Sequence, residues 1–480
     1  MSKQKHAIVY AWPGQGHTNP LLRFSELLAQ DEGCRVTFVH SQQNLTRVRK
    51  AAAAAGSSEE DEIKSRGQLE FVGIDDGLPE GHARDLPSLI VATDAQRQGG
   101  LVASFDSLVA RLLQADRETS TTFIVSDFFM SFTQEVANKY GLPRVGVWVQ
   151  SAASFACHVA VVQGFRPLPG AKLLNCLPEM LPSTTLVTEM ISFLQDYDPS
   201  DPLFDYMIRS FKQLNEPTCI LLNTFDELEH NAIDYLRKSD INVKHWDCCG
   251  PLLPPSYSTR AHGSNKFANE SLWEEDHGCL KWLDEQIPSS VLFVSFGSLF
   301  TLSACQAEEL AYGLEDSKVP FLWVIREGLI EDGDFPDAFV ERVRERACFV
   351  SWAPQMKVLM HPSVGGFLTH AGWNSVLEGI GAGVPLLGWP SFGDQMLNCR
   401  CIIDSWGVGL SYFGKEDHNE EGLVSRVAIE KKIRALMLEL PPAVKRNCAS
   451  LKEAASKSAQ TRLSALIPVL DSLREGSLTI

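Results

Sequence analysis

The chain is organised around three short sequences that follow one another: W-A-P-Q at 352–355, H-P-S-V-G-G-F-L-T-H-A-G-W-N-S-V-L-E-G at 361–379 and G-V-P-L-L-G-W-P-S-F-G-D-Q at 383–395. The apolar run from Val364 to Thr369 is typical of a buried parallel strand, and the small and polar residues after it are typical of a turn that opens a helix. Backbone N–H groups and the positive end of the helix dipole favour anions at such a turn. This stretch therefore predicts an α/β unit that binds phosphate.

The side chains of the same stretch suit a nucleotide joined to a sugar. Asn374 and Ser375 lie in the first turn of the predicted helix and add donors for a phosphate. Glu378 lies one turn after Asn374 on the same helix face, where a carboxylate can accept hydrogen bonds from two ribose hydroxyls. The remaining residues predict further contacts: His370 with the phosphate, Trp352 with the face of a base, Gln355 with the edge of that base, and Asp394 with Gln395 for sugar hydroxyls.

The stretch from Trp352 to Gln395 resembles the signature box of the plant secondary-product glycosyltransferases, which are family 1 UDP-sugar-dependent transferases of GT-B fold. Ala371 is a departure, because the family has Cys there, but both residues are small. In addition, Ser298 follows a predicted strand, where a tight turn brings a backbone N–H and a hydroxyl to a phosphate. The predicted UDP-sugar site consists of Ser298, Trp352, Ala353, Gln355, His370, Trp373, Asn374, Ser375, Glu378, Asp394 and Gln395.

Composition and charge restrict the partners and the location. The 480-residue chain is long enough for two or three domains, and its 44% hydrophobic and 21% charged residues are ordinary for globular proteins. A formal net charge of −17 argues against a nucleic-acid or anionic-membrane partner. The 12 Cys contain no C-x-x-C pair, which favours reduced thiols in a cytoplasmic protein. We expect no signal sequence and no membrane anchor, because no apolar run is long enough.

Strands alternate with helices in both halves of the chain, which predicts two doubly wound, Rossmann-like α/β domains. With the resemblance, this pattern implies a GT-B fold whose domains face each other across a cleft. The predicted parts are an acceptor-binding domain over residues 1–250, a linker over 251–272, a UDP-sugar-binding domain over 273–460 and a final helix over 461–480 that packs back on the first domain.

In the first half, His17 follows a predicted strand in the sequence G-Q-G-H-T-N-P. We expect it on the loop before the first helix, with Thr18 or Asn19 as N-cap and Pro20 as the first helical residue. Loops at the carboxyl ends of parallel strands are where ligands bind in open α/β sheets. The motif resembles the catalytic-His loop of the family, which implies that His17 is the general base.

Asp127 follows another predicted strand, where it is either the N-cap of the next helix or a residue of the ligand site. The resemblance implies that Asp127 orients His17 and stabilises the imidazolium that forms. It also implies that Gln150 and Ser151 lie near the transferred sugar. Residues 167–200 contain several Pro and little periodicity, which predicts an acceptor-side loop. Four aromatic residues near these positions either line a pocket for a flat acceptor or pack in the core: Phe128, Phe129, Trp148 and Phe155.

The resemblance implies an inverting, metal-independent transfer of glucose from UDP-glucose to a small, largely apolar acceptor of plant secondary metabolism, which gives a β-glucoside. The expected acceptor is phenolic, flavonoid-like or carboxylate-bearing. UDP-glucose is the donor co-substrate, no other cofactor is expected, and we expect a monomer. Metal-dependent transferases use an Asp-x-Asp at a strand end. The two such sequences here follow no predicted strand and are interpreted as solvated turns: Asp196-Tyr197-Asp198 and Asp332-Gly333-Asp334.

Three alternatives stay open at this point. The first alternative is a sugar-nucleotide-binding protein without catalysis. The second is the same transferase with another donor sugar or a C-glycoside product. A nicotinamide or flavin enzyme is the third, and it is disfavoured because no G-x-G-x-x-G follows a predicted strand.

Overall fold

A computed structural model of the chain describes residues 4–31, 33–54, 68–79, 82, 86–94, 99–115, 120–166, 180–181, 185–195, 198, 200–241, 243–254, 273–331 and 337–475. It contains two compact units. Unit 1 comprises Met1–Ala171, Phe193–Glu274 and Lys457–Ile480, and unit 2 comprises Lys172–Ser192 and Glu275–Ser456. Each is a parallel sheet flanked by helices, so the predicted pair of doubly wound α/β domains is confirmed.

Unit 1 is built on a seven-stranded sheet with the order β3-β2-β1-β4-β5-β6-β7, in which all neighbouring strands are parallel. Its strands are β1 (Gln4–Tyr10), β2 (Cys34–Ser41), β3 (Leu69–Ile74), β4 (Ser120–Asp127), β5 (Arg144–Trp148), β6 (Cys219–Leu222) and β7 (Trp246–Cys248). Ala7, Ile8 and Val9 in the middle of β1 are fully buried, as expected for a parallel strand covered by helices on both faces.

The helices of unit 1 connect these parallel strands. They are α1 (Gln15–Leu28), α2 (Gln42–Ala54), α3 (Leu86–Thr93), α4 (Gly99–Ala115), α5 (Phe132–Tyr140), α6 (Ala152–Val162), α7 (Pro202–Lys212) and α8 (Asp226–Lys238). The strands β1 and β4 are direct neighbours, with Tyr10 paired to Ser126. The residues that follow these two strands are therefore brought to the same edge of the sheet.

Unit 2 has a six-stranded parallel sheet with the order β12-β10-β8-β13-β14-β15 and a separate short pair, β9 with β11. Its strands are β8 (Val291–Ser295), β9 (Leu302–Ser303), β10 (Phe321–Val324), β11 (Ile330–Glu331), β12 (Ala347–Val350), β13 (Val364–Thr369), β14 (Leu386–Gly388) and β15 (Gly409–Ser411). The bounds of β13 are those predicted from the apolar run, and its neighbours in the sheet are β8 and β14.

The helices that surround the second sheet are α9 (Gly278–Asp284), α10 (Ala304–Ser317), α11 (Asp337–Val343), α12 (Gln355–Leu359), α13 (Trp373–Ala382), α14 (Gln395–Arg400), α15 (Arg426–Met437) and α16 (Pro442–Glu475). The long helix α16 is shared by the two units. Lys452 donates to the carbonyl of Ala382 at 2.9 Å in unit 2, and Ser458 donates to the carbonyl of Gly250 at 2.8 Å in unit 1. None of the described helices is long and apolar enough to cross a membrane.

The predicted domain boundaries agree only in part with the two observed units, and one predicted part lies largely outside the described residues. Residues 172–192, which the sequence placed in the N-terminal domain, are grouped with unit 2. The described part of this segment contains a 3-10 turn at Val187–Glu189, and a second turn at Ser192–Leu194 begins at its end. Most of the predicted linker, from residue 255 to 272, lies outside the described residues.

Candidate active site

His17 and Asp127 form a direct contact in unit 1. Nδ1 of His17 lies 2.6 Å from Oδ2 of Asp127, although the two residues are 110 positions apart in the chain. The sheet explains the contact, because α1 follows β1, Asp127 ends β4, and these strands are neighbours. The carboxylate is buried, whereas 19% of the His17 side chain is exposed. The imidazole can therefore reach a substrate while its partner stays out of water.

His17 does not lie on a loop, and this part of the prediction is wrong. The helix α1 begins at Gln15, its N-cap is Gly14 in an extended conformation, and Pro20 lies inside the helix. The backbone N–H groups of His17 and Thr18 both donate to the carbonyl of Gly14, at 3.0 and 2.9 Å. Glycine is an acceptable N-cap although it offers no side-chain bond, and the prediction relied on side-chain caps. His17 is thus fixed by the first helical turn.

The Asp127 carboxylate is held by its own turn. Its Oδ1 accepts the backbone N–H of Phe129 at 2.9 Å, while Oδ2 faces His17. The next helix, α5, has Ser131 as its N-cap, so the alternative role of Asp127 as a helix N-cap is excluded. Asp127 therefore faces His17 and does not cap the next helix.

Arg144 is a buried cation beneath this turn that the sequence reasoning missed. Its Nε donates to Ser126 Oγ at 2.9 Å, and its Nη2 donates to the backbone carbonyl of Asp127 at 3.3 Å. Burial lowers the pKa of Arg144 to about 10, against the raising effect of the Asp127 charge, so the guanidinium stays charged at neutral pH. Arg144 thereby holds the backbone of the turn that carries Asp127.

The aromatic residues near His17 and Asp127 pack mainly against each other. Phe128, Phe129, Trp148 and Phe155 are between 1% and 3% exposed. The Trp148 ring lies 5.7, 5.1 and 5.4 Å from the rings of Phe128, Phe129 and Phe155. The core-packing interpretation is therefore favoured over an aromatic-lined pocket. Phe129 contacts His17 at 6.1 Å between ring centroids, and Trp12 contacts His17 at 5.0 Å.

Gln150 and Ser151 precede α6, whose N-terminus is already capped. Ser151 Oγ accepts the backbone N–H of Ser154 at 3.1 Å. The buried Glu229 carboxylate accepts the N–H groups of Ala152 and Ala153 at 2.7 and 3.0 Å. This helix N-terminus is consequently not available to a phosphate, and the anion site must lie elsewhere.

In unit 2, three of the predicted donor-site residues converge. The Gln355 amide nitrogen donates to Ser375 Oγ at 3.0 Å and to Glu378 Oε2 at 2.7 Å. Gln355 is the first residue of α12, and Ser375 and Glu378 both lie on α13. Trp352 and Ala353 come just before α12, and the Trp352 carbonyl accepts the N–H of Asp276 at 2.9 Å. The two N–H groups of the Gln355 amide are thus used within the site.

His370 directly follows β13, and its ring lies close to two glycines, Gly297 and Gly372. A Cβ on Gly297 would come within 2.7 Å of its Cε1, and a Cβ on Gly372 within 2.4 Å of its Nε2, so glycine is required at both positions. Burial, and secondarily the Arg326 charge, lower the pKa of His370 to about 4. The imidazole is therefore neutral near pH 7. Its Nδ1 is buried and has no hydrogen-bond partner among the described residues. Buried polar atoms normally have a partner, so this nitrogen is a candidate for binding a ligand.

Arg326 binds the loop that carries Ser298, and no sequence pattern predicted this contact. Its Nε donates to the carbonyl of Gly297 at 3.0 Å, and its Nη2 donates to the carbonyl of Phe300. Gly297 has φ of +68°, a left-handed conformation that glycine adopts without cost. Ser298 is thereby held at the carboxyl end of β8, next to β13 in the sheet.

The N-terminus of α13 is open in the manner expected of a phosphate site. Its N-cap is Gly372, which makes no side-chain bond, and the first intrahelical bond joins Val376 N–H to Gly372 O at 3.0 Å. The Trp373 side chain is only 4% exposed and packs against Trp406, with ring centroids 6.0 Å apart. Trp373 is therefore a core residue, and only its backbone suits the predicted donor contact.

The predicted sugar-binding pair lies where α14 begins. Gln395 Oε1 accepts the backbone N–H groups of Ser391 and Phe392, at 2.9 and 3.2 Å. Asn398, which sequence reasoning missed, donates from one amide nitrogen to Asp394 Oδ2 and to the carbonyl of Ala371, both at 3.0 Å. Its position four residues after Asp394 on a helix is the signal that points to it. Asn398 thus links Asp394, at the start of α14, to Ala371, which lies between β13 and α13.

Groups of three or more His, Cys, Asp or Glu side chains that could hold a metal ion are absent from the described part of the chain. The acidic sequence Asp332-Gly333-Asp334, together with Asp196 and Tyr197, lies outside the described residues. Asp198 is exposed, and its Oδ1 accepts from the backbone N–H and the hydroxyl of Ser200 at 2.8 and 2.7 Å, as expected of a solvated turn. The interpretation is untested for the other residues.

The chain matches the family model for UDP-glucoronosyl and UDP-glucosyl transferase over residues 273–423, and the model for the glycosyltransferase N-terminal domain over residues 5–254. It is 36% identical to (R)-mandelonitrile beta-glucosyltransferase of Prunus dulcis, over 91% of this chain and 89% of that one. It is 34% identical to UDP-glycosyltransferase 85A1 of Arabidopsis thaliana, over 91% and 88% of the two chains.

Two solved structures have the same fold. The chain aligns with Os79 from O. sativa in complex with UDP at a TM-score of 0.80 and 25% identity, over 95% of this chain and 98% of that one. It aligns with Phytolacca americana UGT2, complexed with UDP-2fluoro-glucose and pterostilbene, at a TM-score of 0.77 and 26% identity, over 98% and 100%. The chain therefore belongs to the plant UDP-glycosyltransferases, and it is a glycosyltransferase of GT-B fold.

Proposed function

We propose that this enzyme transfers glucose from UDP-glucose to a hydroxyl group of a small, largely apolar acceptor, with inversion to a β-glucoside and without a metal ion or further cofactor. The observation that carries the proposal is the 2.6 Å contact between His17 Nδ1 and Asp127 Oδ2. The names of three relatives support it: (R)-mandelonitrile beta-glucosyltransferase, 7-deoxyloganetin glucosyltransferase and linamarin synthase 1. Two of them are named as glucosyltransferases with small acceptors.

The dyad supplies the proton chemistry. An ionised carboxylate only accepts hydrogen bonds, so Nδ1 of His17 carries the proton that faces Asp127 and Nε2 is left with a lone pair. Nε2 removes the acceptor hydroxyl proton as the acceptor oxygen attacks the anomeric carbon. The bond from that carbon to the diphosphate oxygen breaks, and UDP leaves with the electron pair. The buried Asp127 carboxylate stabilises the imidazolium during this step.

The donor side must hold an anion in a protein whose overall charge is negative. The net charge of −17 cannot attract UDP-glucose, so local dipoles must bind its diphosphate. The N-terminus of α13, the Ser298 and Ser375 hydroxyls and a neutral N–H of His370 supply them. These donors also stabilise the charge that grows on the leaving UDP.

The uridine and glucose contacts are proposed from the hydrogen-bond geometry of Gln355 and Gln395. Because the Gln355 amide nitrogen is bound by Ser375 and Glu378, its carbonyl oxygen is left to accept from the uracil edge. Trp352 stacks on the base, and Glu378 accepts from the ribose. At the sugar, Gln395 Oε1 is bound by two backbone N–H groups, so its amide nitrogen donates to glucose hydroxyls, and Asp394 accepts from them.

The test is a screen of the purified protein with UDP-glucose against mandelonitrile, simple phenols and aromatic carboxylates. UDP release, product mass and the anomeric proton coupling of the product are measured, with and without a chelator. We expect a β-glucoside of at least one acceptor, unaffected by chelation. UDP-glucose binding without any product, an α-linked product, or activity that a chelator abolishes and metal restores would contradict the proposal.

A further inference from the structure

Ser192, in the first half of the chain, is hydrogen-bonded to Gly393, in the loop that precedes α14 (the sugar loop). The backbone N–H of Ser192 donates to the carbonyl of Gly393 at 3.0 Å, and the N–H of Gly393 donates to Ser192 Oγ at 2.8 Å. Gly393 directly precedes Asp394 and Gln395. The two reciprocal bonds fix the backbone of the sugar loop just before the residues proposed to contact glucose.

An ion pair between Glu189 and Arg400 fixes the C-terminal end of α14, the helix that follows this loop. The Glu189 carboxylate accepts from Arg400 Nε at 3.0 Å and from Arg400 Nη2, and Arg400 is the last residue of α14. Glu189 also accepts the backbone N–H of Leu186 at 2.8 Å, which closes its own turn. Glu189 is 5% exposed. A buried charged pair with two parallel bonds defines orientation more strictly than a surface pair does.

The helix α14 is therefore held at both ends by residues 189 and 192. At its start lie the proposed sugar ligands, and the loop before it is also capped from within by Gln395 Oε1, which binds Ser391 and Phe392. Gln395 thus has two duties, since its oxygen shapes the loop and its nitrogen is left for the sugar. Any displacement of the loop changes both together.

We propose that Glu189 and Ser192 are positioning residues for the donor sugar, which set the enzyme's preference among UDP-hexoses by fixing Asp394 and Gln395 through Gly393 and Arg400. The inference rests on the proposed function, because it assumes that Gln395 and Asp394 contact the hexose. Neither residue touches the uridine site, since that site lies on α12 and α13. The effect should accordingly fall on the sugar and not on UDP.

The experiment compares Glu189→Gln, Glu189→Asp and Ser192→Ala with the unaltered enzyme. We expect the ratio of kcat/KM for UDP-glucose to that for UDP-galactose to fall about three- to thirtyfold in Glu189→Gln, because only part of the effect of a lost charged hydrogen bond reaches the sugar contacts. UDP affinity by calorimetry should stay within about twofold, and Glu189→Asp, which keeps the charge, should restore part of the ratio. Ser192→Ala should lower the ratio less.

Asp404→Asn is the matched control, because Asp404 also binds Arg400, at 3.0 Å, but lies outside the 185–192 segment. We expect its donor ratio to equal that of the unaltered enzyme. The inference is overturned if Glu189→Gln and Ser192→Ala keep the donor ratio, or if UDP and UDP-glucose affinities fall together in both. If Glu189→Gln does not fold, Ser192→Ala, which removes only one hydroxyl, decides alone. Failure of the unaltered enzyme to use UDP-glucose would instead refute the proposed function.

Discussion

The proposed site residues of unit 1 and those of unit 2 are held in different ways. In unit 1 the proposed chemistry depends on one contact, between His17 and Asp127, from chain segments 110 residues apart. In unit 2 the donor residues come from one short stretch of sequence and are joined by several hydrogen bonds, among them those of Gln355 with Ser375 and Glu378. The proposed base depends on a single side-chain contact, whereas the proposed donor site is a network of several hydrogen bonds. Substitutions should therefore affect turnover in the first half and affinity in the second.

The largest effect is expected at His17. His17→Ala should lower turnover by roughly two to four decades, the usual contribution of a positioned general base, and should leave UDP-glucose affinity unchanged. Steady-state kinetics and calorimetry measure the two quantities. Asp127→Ala should cost less, and the double variant little more than His17→Ala alone, because Asp127 acts only through the imidazole.

An acceptor that is already ionised at the assay pH has no proton to lose, so it should suffer least from His17→Ala. Equal losses for acceptors of every pKa would mean that His17 positions the substrate instead of serving as base. That result would remove the contrast between the two halves.

Trp352→Ala should have the next largest effect, and it should appear in binding. Stacking on a base contributes about 1–3 kcal/mol and is made equally in the ground and transition states. We expect UDP affinity to fall accordingly while kcat changes little. Trp273→Ala, which removes an exposed indole from unit 1, is the matched control. Unchanged UDP affinity in Trp352→Ala would show that the base does not stack there.

Gln395 allows the donor half to be divided further. Gln395→His should lower the preference for UDP-glucose over UDP-galactose about two- to tenfold, the range expected for exchanged hydrogen bonds. Gln395→Glu keeps an oxygen for the N–H groups of Ser391 and Phe392 but loses the amide donors, so it should weaken UDP-glucose binding without weakening UDP binding. A donor ratio that does not move in either variant would exclude Gln395 as the residue that reads the sugar.

The smallest effect concerns stability, and here the two units are alike. Burial lowers the pKa of His158 in unit 1 and of His370 in unit 2 to about 4. Between pH 6.5 and 4 the unfolded chain binds protons that the folded chain does not, so this contribution to stability is complete above pH 6.5 and is lost as the pH falls. Each histidine should add at most about 1.4 kcal/mol per pH unit to the slope.

His158→Phe should flatten that slope. The imidazole is stacked on Phe211, with ring centroids 4.6 Å apart and an interplanar angle of 8°, so a phenyl ring fits the same geometry. Urea unfolding at several pH values between 4.5 and 8 measures the effect. Above pH 7 the variant and the unaltered protein should have parallel profiles, which serves as the internal control. Identical slopes below pH 6 would show that His158 is protonated in the folded state.

The contrast between the halves also explains what could be predicted from the sequence. The donor residues lie on one strand-turn-helix unit and its neighbours, so local patterns place them, and β13 has the predicted bounds. The pairing of His17 with Asp127 depends on which strands are adjacent in the sheet, and periodicity does not reveal strand order. That pairing was available only through the resemblance to the family.

The residues that sequence reasoning missed act through long-range contacts. Arg144 and Arg326 bond mainly to backbone carbonyls, which no side-chain pattern encodes. The pair of Glu189 with Arg400 joins positions 211 residues apart. The start of α1 was misplaced for a local reason, since Gly14 caps the helix without a side chain. Asn398 was the exception, because its spacing from Asp394 is readable on a helix.

The grouping of residues 172–192 with the donor unit has a consequence for recombination between related enzymes. A crossover placed in the stretch between the two sheets takes Glu189 and Ser192 from one parent and Gly393 and Arg400 from the other. Donor choice in such a chimera would be inherited from both parents and not from the C-terminal parent alone. Hybrids that transfer residues 185–192 together with the sugar loop should keep the donor preference of the parent that supplied both.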